Sequence, residues 1–178
     1  MNQVPRETVI VFLHVDCGQF LLQLRDFKPS IPYPGHWGGF GGEVEPLETP
    51  ESAGLRELEE ELDYVPDSIH HFRNYLLNAE ESGSVNQAGI LLHIFYGELS
   101  VPISQLSLSE GLDFGLFSRS EIFKGKLYSS RLKDYFHVPR LLISLFEDFY
   151  CFADELQSGI RRSVREQTTN LRQKSDID

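Results

Sequence analysis

The sequence of 178 residues is poor in the side chains that build zinc sites and disulfide scaffolds. It has two cysteines, Cys17 and Cys151, and neither belongs to a paired metal-binding motif. Two isolated cysteines argue against a disulfide framework and favour a reducing compartment. The six histidines show no metal-ligand spacing. Neither a thiolate metal centre nor a set of disulfides is therefore expected to hold this chain together.

Positive charge and long apolar runs are also lacking. Lys and Arg number 16 against 27 Asp and Glu, a formal net charge of −11, which argues against a broad basic surface for nucleic acid or an anionic membrane. No segment approaches the roughly 20 apolar residues that cross a bilayer, and the first apolar run is too short and too alternating for a signal sequence. We expect a cytoplasmic protein whose partners include no membrane and no nucleic acid duplex. An anionic substrate stays compatible, because a few arginines and a metal ion reverse the charge locally.

Apolar periodicity and turn residues predict a single domain that contains both strands and helices. Hydrophobic residues make up 40% and charged residues 24% of the chain, as in ordinary globular proteins. Strands are predicted over residues 8–15, 20–25, 72–78 and 88–99. Thr49 followed by Pro50 predicts the start of a helix that ends near Asp63. Residues 106–117 are mixed and turn-rich, and Ser118 is expected to cap a short helix.

The C-terminal part of the chain predicts one more helix and a polar end. From about Pro139, apolar residues recur at helical period, which indicates a helix that packs in the core or forms a homodimer interface. We place a single domain with this helix over residues 1–160 and a polar C-terminal tail over 161–178.

The helix predicted after Thr49 carries carboxylates beside its apolar stripe. At 100° per residue, Glu57, Glu60 and Glu61 fall within one arc of roughly 100°. Like charges at these spacings repel, and a divalent cation would turn the repulsion into attraction. Hard carboxylate oxygens suit Mg²⁺ or Mn²⁺, and Arg56 can orient a glutamate through paired hydrogen bonds. This pattern alone leaves a solvated acidic face as the alternative.

The acids of this helix and the glycines of the upstream segment GHWGGFGG belong to one sequence pattern with fixed spacings. Residues 42–64 follow the pattern G-x5-E-x7-R-E-U-x-E-E-x-G-U, in which U is aliphatic. The matching residues are Gly42, Glu48, Arg56, Glu57, Leu58, Glu60 and Glu61. Such a coincidence is expected by chance roughly once in 10⁸ registers. The pattern resembles the signature of the Nudix hydrolases.

Three positions near this signature depart from the family. Asp63 stands where the family has the Gly that ends the helix in a left-handed conformation, which Asp adopts at modest cost. Tyr64 stands at an aliphatic position, and Phe40 replaces the commoner Pro before the glycine pair. We expect an altered helix cap with intact chemistry.

The resemblance implies a fold and an activity. The fold is α/β: the Nudix fold, an α/β/α sandwich with a mixed central β-sheet, here with an added C-terminal helix. The implied activity is Mg²⁺-dependent (or Mn²⁺-dependent) hydrolysis of the diphosphate linkage of a nucleoside diphosphate derivative, by attack of water at phosphorus. Metal ions held by the carbonyl of Gly41 and by Glu57, Glu60 and Glu61 would screen the diphosphate.

The resemblance also implies roles for residues around the signature. Glu48 and Gly42 support the site, and Arg56 acts with the catalytic carboxylates. FLLQLRD resembles the second strand of Nudix domains, so Arg25 is expected to face the substrate phosphates. Trp37 is a candidate for stacking on a base or ring of the substrate, and a position in the core is an equal alternative.

Three questions stay open at this point. The general base is Glu57 or Glu110, with Glu80 and Glu81 ranked lower. The substrate is a small molecule such as a nucleotide sugar, a dinucleotide or a nucleoside triphosphate. A non-catalytic nucleotide-sensing module, supported by the three departures, is the main alternative, and an isomerase or other transferase on the same fold is the second.

Overall fold

The computed structural model describes residues 5–16, 18–78, 81 and 89–154. The chain divides into two compact units, Met1–Ile143 and Ser144–Asp178, and the sheet and the candidate site lie in the first. Cys17, Glu80 and the tail predicted over 161–178 fall outside the described residues, and the single domain predicted over 1–160 stays a prediction. No helix within the described ranges is long and apolar enough to cross a membrane.

A six-stranded mixed sheet forms the centre of the first unit. Its strands are β1 (Arg6–Val15), β2 (Gln19–Leu24), β3 (Trp37–Gly38), β4 (His70–Leu77), β5 (Ile90–Glu98) and β6 (Asp113–Ser118). They lie in the order β3-β2-β1-β5-β4, and β6 also pairs with β2. Strands β1 and β5 run parallel, whereas the other neighbours are antiparallel. The four predicted strands are confirmed.

Strand β6 and a small second sheet correct the expectation for the later part of the chain. The stretch predicted to be turn-rich, residues 106–117, contains all of β6 except Ser118, and β6 pairs along the whole of β2. Asp113 and Gly115 lower the local strand preference, so pairing with β2 rather than local sequence makes this strand. Strands β7 (Lys126–Ser129) and β8 (Asp134–His137) form an antiparallel hairpin that the sequence did not predict.

The signature helix begins and ends at the predicted caps. Helix α1 spans Pro50–Leu62, and the Thr49 side chain accepts a hydrogen bond from the Ser52 N–H at 3.1 Å. At the other end Asp63 has φ 51° and ψ 40°, and its N–H donates to the Glu59 carbonyl at 2.9 Å. Asp63 therefore takes the left-handed conformation for which the family uses Gly.

Two further helices are also confirmed. Helix α2 (Arg119–Ile122) follows Ser118, whose N–H donates to Glu121 Oε2 at 2.8 Å in a capping box. Helix α3 is the C-terminal helix and is described over residues 140–154. Its apolar stripe includes the buried residues Leu145, Phe146 and Phe149.

The apolar stripe of α1 fixes how that helix is rotated on the sheet. A buried cluster joins it to the strands: Val9, Val11, Leu13, Leu21, Phe40, Ala53, Leu58, Leu62, Ile69 and Phe95. Phe40 is fully buried in this cluster, and Tyr64 packs against it while its hydroxyl accepts from the Ser100 N–H at 3.2 Å. The departures at Phe40 and Tyr64 are therefore accommodated by packing.

The left-handed cap of α1 makes a stability prediction. Asp63→Val should lower the free energy of unfolding by about 1–2 kcal/mol, because a β-branched residue tolerates positive φ poorly, whereas Asp63→Gly should not lower it. Urea unfolding followed by circular dichroism measures both. Asp67→Val is the matched control, since Asp67 is exposed and is not among the residues with positive φ. Equal losses for Asp63→Val and Asp67→Val would contradict this account of the cap.

Candidate active site

A cavity of about 220 Å³ opens beside α1, the end of β2 and the glycines that precede the signature. Six residues singled out in the sequence line it: Arg25, Gly41, Gly42, Glu57, Glu61 and Glu110. The glycine segment, defined as residues 38–42, reaches the cavity because it runs antiparallel along β1. The Val11 N–H donates to the Phe40 carbonyl at 2.8 Å, and the Val9 N–H donates to the Gly42 carbonyl at 2.9 Å.

Glu61 is the most buried carboxylate of the cavity, with an exposed fraction of 6%. Its Oε1 accepts a hydrogen bond from Gln23 Nε2 at 2.9 Å, and its Oε2 accepts one from the Gly41 N–H at 3.0 Å. Burial raises the pKa of Glu61 to about 7, although both hydrogen bonds act in the opposite direction. Two neutral hydrogen-bond donors therefore do not offset the effect of burial on the pKa of Glu61.

Glu57 lies against the main chain of the glycine segment. A Cβ atom at position 42 would be 2.3 Å from Glu57 Oε1, so any larger residue there would displace the Glu57 carboxylate from its present position. Burial raises the pKa of Glu57, and the neighbouring Arg56 guanidinium lowers it in part. Gly41 has φ 139°, and a Cβ there would be 2.1 Å from the Val9 carbonyl oxygen. The two glycines thus let bare main chain approach the carboxylates of α1.

Arg56 joins the acids on the outer side of the same helix. Its Nε and Nη2 donate to the two oxygens of Glu48 at 3.0 and 3.1 Å, and Nη2 also reaches the Glu43 carbonyl. Its Nη1 donates to Glu57 Oε1 at 2.8 Å and to Glu60 Oε2 at 3.2 Å. The hydrogen bonds from Arg56 lower the pKa of Glu48. Arg56 and Glu48 therefore act together to orient Glu57.

Glu60 does not lie with the other two acids. Its side chain is 59% exposed, pairs with Arg56 and does not line the cavity. Among the residues that the structure describes, no three His, Cys, Asp or Glu side chains converge on a common metal position. The structure therefore brings Gly41, Glu57 and Glu61 together and leaves Glu60 outside them.

The donors on the cavity fit a hard divalent cation. Mg²⁺ is commonly held by one or two carboxylates together with substrate phosphates, and Glu57 and Glu61 provide two carboxylates whose pKa values are raised by burial. Arg25 lies on the same cavity and provides positive charge for an anionic ligand. Its Nε donates to the Pro32 carbonyl at 2.9 Å, and burial lowers the pKa of its guanidinium.

The loop that carries Glu110 is attached to both α1 and β2. The Ser109 N–H donates to the Glu61 carbonyl at 2.9 Å, and the Leu112 N–H donates to the Leu24 carbonyl at 2.7 Å. These two hydrogen bonds attach the loop beside the cavity, and Glu110 is one of the residues that line it. Glu81, the other described candidate base, is not on the cavity lining, and its carboxylate accepts from the Asn78 N–H.

Trp37 is a core residue in this structure. It is 1% exposed, its indole N–H donates to the Leu127 carbonyl at 3.1 Å, and its ring meets that of Phe117 edge-on at 4.7 Å. Because the ring is enclosed by protein, the structure favours the core alternative over a substrate contact. Sequence reasoning did not identify Gln23 as a residue of the site. The feature that could have indicated it is a lone amide inside the apolar strand FLLQL.

Comparison with known proteins assigns the family of this chain. It belongs to the Nudix family, because the family model described as NUDIX domain matches residues 4–134. The MutT protein from Methanosarcina mazei Go1 is similar in structure, with 21% identity and a TM-score of 0.62 over 86% of this chain and 98% of that one. The Nudix fold, the mixed sheet and the C-terminal helix predicted from the sequence are confirmed.

Two other solved structures show the same fold. A NUDIX hydrolase from Nitrosomonas europaea has 20% identity and a TM-score of 0.60 over 83% of this chain and 89% of that one. The NUDIX domain of Shewanella oneidensis NrtR, complexed with ADP ribose, has 17% identity and a TM-score of 0.60 over 83% of this chain and 88% of that one. No curated protein matches the chain significantly.

The buried carboxyl of Glu61 predicts how stability depends on pH in the absence of metal. A carboxyl with a pKa of about 7 in the folded state and its ordinary 4.5 in the unfolded state binds more protons when folded between those values. Its contribution to stability is therefore complete below pH 4.5 and is lost as the pH rises through 7. The difference corresponds to about 3 kcal/mol.

Urea unfolding in EDTA at pH 5 and pH 8 measures this effect. Between pH 5 and pH 8, the free energy of unfolding of the unmodified protein should fall by up to about 3 kcal/mol more than that of Glu61→Gln falls over the same range. Glu59→Gln, at an exposed position of the same helix, should behave like the unmodified protein. The same pH dependence in all three proteins would refute the assignment of the shift to Glu61.

Proposed function

We propose that this chain is a Mg²⁺-dependent or Mn²⁺-dependent pyrophosphohydrolase. It cleaves the diphosphate linkage of a nucleoside diphosphate derivative by attack of water at phosphorus. The observation that carries the proposal is the single cavity lined by Glu57, Glu61, Gly41 and Arg25. Membership of the Nudix family supports hydrolysis, and the ADP ribose bound to the Shewanella oneidensis NUDIX domain supports a ligand of this class.

The metal ligands in this proposal are the Gly41 carbonyl and the carboxylates of Glu57, Glu60 and Glu61. Glu57 and Glu61 already line the cavity, whereas Glu60 must exchange its contact with Arg56 to join them. When bound, the divalent cation screens the charge of the diphosphate and activates water. Arg56 and Glu48 hold Glu57 in place through the hydrogen bonds described above, and Gly42 leaves room for its carboxylate.

Arg25 and Glu110 provide the remaining chemistry. The Arg25 guanidinium neutralises phosphate oxygens through charge-assisted hydrogen bonds, which are stronger than neutral ones. Glu110 acts as the general base and takes the proton of the attacking water. Glu110 is preferred to Glu57 because Glu57 Oε1 already accepts a hydrogen bond from Arg56 at 2.8 Å, whereas Glu110 lines the same cavity and is exposed to solvent.

The three departures from the family signature give little support to a non-catalytic sensing module. Phe40 fills the core, Asp63 forms the helix cap, and Tyr64 packs on the core with its hydroxyl bonded to the main chain. None of the three lines the cavity. The cytoplasmic location and the homodimer expected from the sequence stay predictions.

Hydrolysis is tested with a panel of candidate substrates. Nucleotide sugars, dinucleoside polyphosphates, ADP-ribose, NADH and nucleoside triphosphates are each incubated with Mg²⁺, with Mn²⁺ and with EDTA, and products are separated by ion-exchange chromatography. At least one compound should be cleaved at its diphosphate in a metal-dependent manner. Binding of a compound without any product would instead favour the sensing module.

The metal ligands are tested by amide substitutions on α1. Glu61→Gln and Glu60→Gln should each lower kcat by about two to three orders of magnitude, because each removes a charged metal ligand, while Glu59→Gln should leave kcat unchanged. Turnover is measured on the best substrate of the panel, and circular dichroism checks the fold. Near-normal turnover in Glu61→Gln would refute the metal site, and near-normal turnover in Glu60→Gln alone would remove Glu60 from it.

The general base is tested at Glu110. Glu110→Gln should lower kcat by about 10²–10⁴-fold, as loss of a general base does, and should leave KM nearly unchanged because the phosphate contacts remain. Glu81→Gln is the control, since it alters a loop glutamate away from the cavity. If kcat of Glu110→Gln equals that of the unmodified protein, Glu110 is not the base and the role passes to Glu57.

A further inference from the structure

Gln23 is a buried amide in a strand that is otherwise apolar. It is 2% exposed, and its neighbours Leu22 and Leu24 are fully buried. Burying an amide costs free energy unless its hydrogen bonds are made. The Gln23 amide makes them with its nitrogen, which donates to Glu61 Oε1 at 2.9 Å and to the Gly39 carbonyl at 3.3 Å.

These partners fix which way the amide faces. A main-chain carbonyl can only accept a hydrogen bond, so the Gln23 nitrogen must point toward Gly39 and Glu61. The two oxygens of Glu61 are consequently held by different elements, Oε1 by Gln23 of β2 and Oε2 by the Gly41 N–H. A carboxylate held at both oxygens has little freedom to rotate within the cavity.

The other end of the amide meets the loop of Glu110. Gly111 has φ 89°, and a Cβ atom there would be 2.9 Å from Gln23 Oε1 and 2.9 Å from the Leu24 carbonyl oxygen. Glycine is therefore needed at 111 both for its backbone conformation and for its approach to Gln23. Gln23 thus contacts α1, the glycine segment and the Glu110 loop at once.

We propose that Gln23 is a positioning residue. It fixes the position of the Glu61 carboxylate relative to the Glu110 loop at the cavity. Gln23 lines the cavity, and in this proposal it acts through Glu61 and Gly111 and not as a ligand of metal or substrate. Its effect on metal affinity rests on the proposed function, whereas its effect on the positions of Gly41 and Gly111 does not. Partners that orient a metal ligand in this way typically change metal affinity 10–100-fold when removed.

The experiment compares Gln23→Met with Leu22→Met. Methionine matches glutamine in length but cannot donate, and Leu22→Met alters an adjacent buried side chain of the same strand with little change in volume. Mn²⁺ affinity without substrate is measured by titration, and the amide signals of Gly41 and Gly111 are measured by NMR without metal. Gln23→Met should bind Mn²⁺ about 10–100-fold more weakly and shift both signals, whereas Leu22→Met should change neither.

A double variant shows whether Gln23 acts through Glu61. Adding Gln23→Met to Glu61→Gln should weaken Mn²⁺ binding no further, because the bond that Gln23 supports is already altered. An additional tenfold loss in the double variant would overturn the route through Glu61. Unchanged Mn²⁺ affinity together with unchanged Gly41 and Gly111 signals in Gln23→Met would overturn the proposal as a whole.

Gly111→Ala provides a second variant should Gln23→Met fail to fold. Its new methyl group would push on the Gln23 amide, so it should shift the Gly41 signal and weaken Mn²⁺ binding. Gly18→Ala should do neither, because a Cβ there makes an ordinary contact of 3.8 Å with the Asp16 carbonyl oxygen. An unmodified protein that binds no Mn²⁺ would refute the proposed function. In that case the Gly41 and Gly111 amide signals of Gln23→Met, measured without metal, would still decide whether Gln23 positions the site.

Discussion

The burial of one carboxylate, that of Glu61, determines most of the architecture around the cavity. The apolar stripe of α1 must face β1 and β5, and this rotation places Glu61 inside the protein rather than in water. A carboxylate in that position needs donors, and the nearest ones are a main-chain N–H at Gly41 and the amide of Gln23. The Gly41 N–H can approach because position 41 has no side chain, since a Cβ there would be 2.1 Å from the Val9 carbonyl oxygen.

The acidic side chains of α1 lie in two different electrostatic environments. On the outer side, Arg56 supplies a guanidinium to Glu48, Glu57 and Glu60. On the inner side, Glu61 has only neutral donors, and burial raises its pKa to about 7. Arg56 thus supplies its charge on the outer side, whereas the charge of Arg25 on the cavity does not offset the effect of burial on Glu61. A cation that entered the cavity would offset part of the cost of burying the Glu61 carboxylate, and this is the physical ground for the metal dependence that we propose.

What could be predicted from the sequence was what depends on neighbours along the chain. Thr49, Pro50 and Asp63 define the ends of α1 through contacts within one turn, and the spacing from Gly42 to Glu61 identified the family. What depends on distant partners could not be predicted. Trp37 is buried because Leu127 and Phe117 cover it, and β6 exists because β2 pairs with it. Glu60 and Glu61 are adjacent in sequence, yet only their surroundings distinguish an exposed acid from a buried one.

We propose that water attacks phosphorus in the cavity lined by Glu57, Glu61 and Glu110. The most direct measurement is turnover of a cleaved nucleoside diphosphate derivative in ¹⁸O-labelled water with Mg²⁺, followed by ³¹P NMR and mass spectrometry of the products. Attack of water at phosphorus predicts one atom of ¹⁸O on phosphorus in one product, and no labelled product in EDTA. Label on carbon with unlabelled phosphate, or binding without any turnover in Mg²⁺ or Mn²⁺, would contradict it.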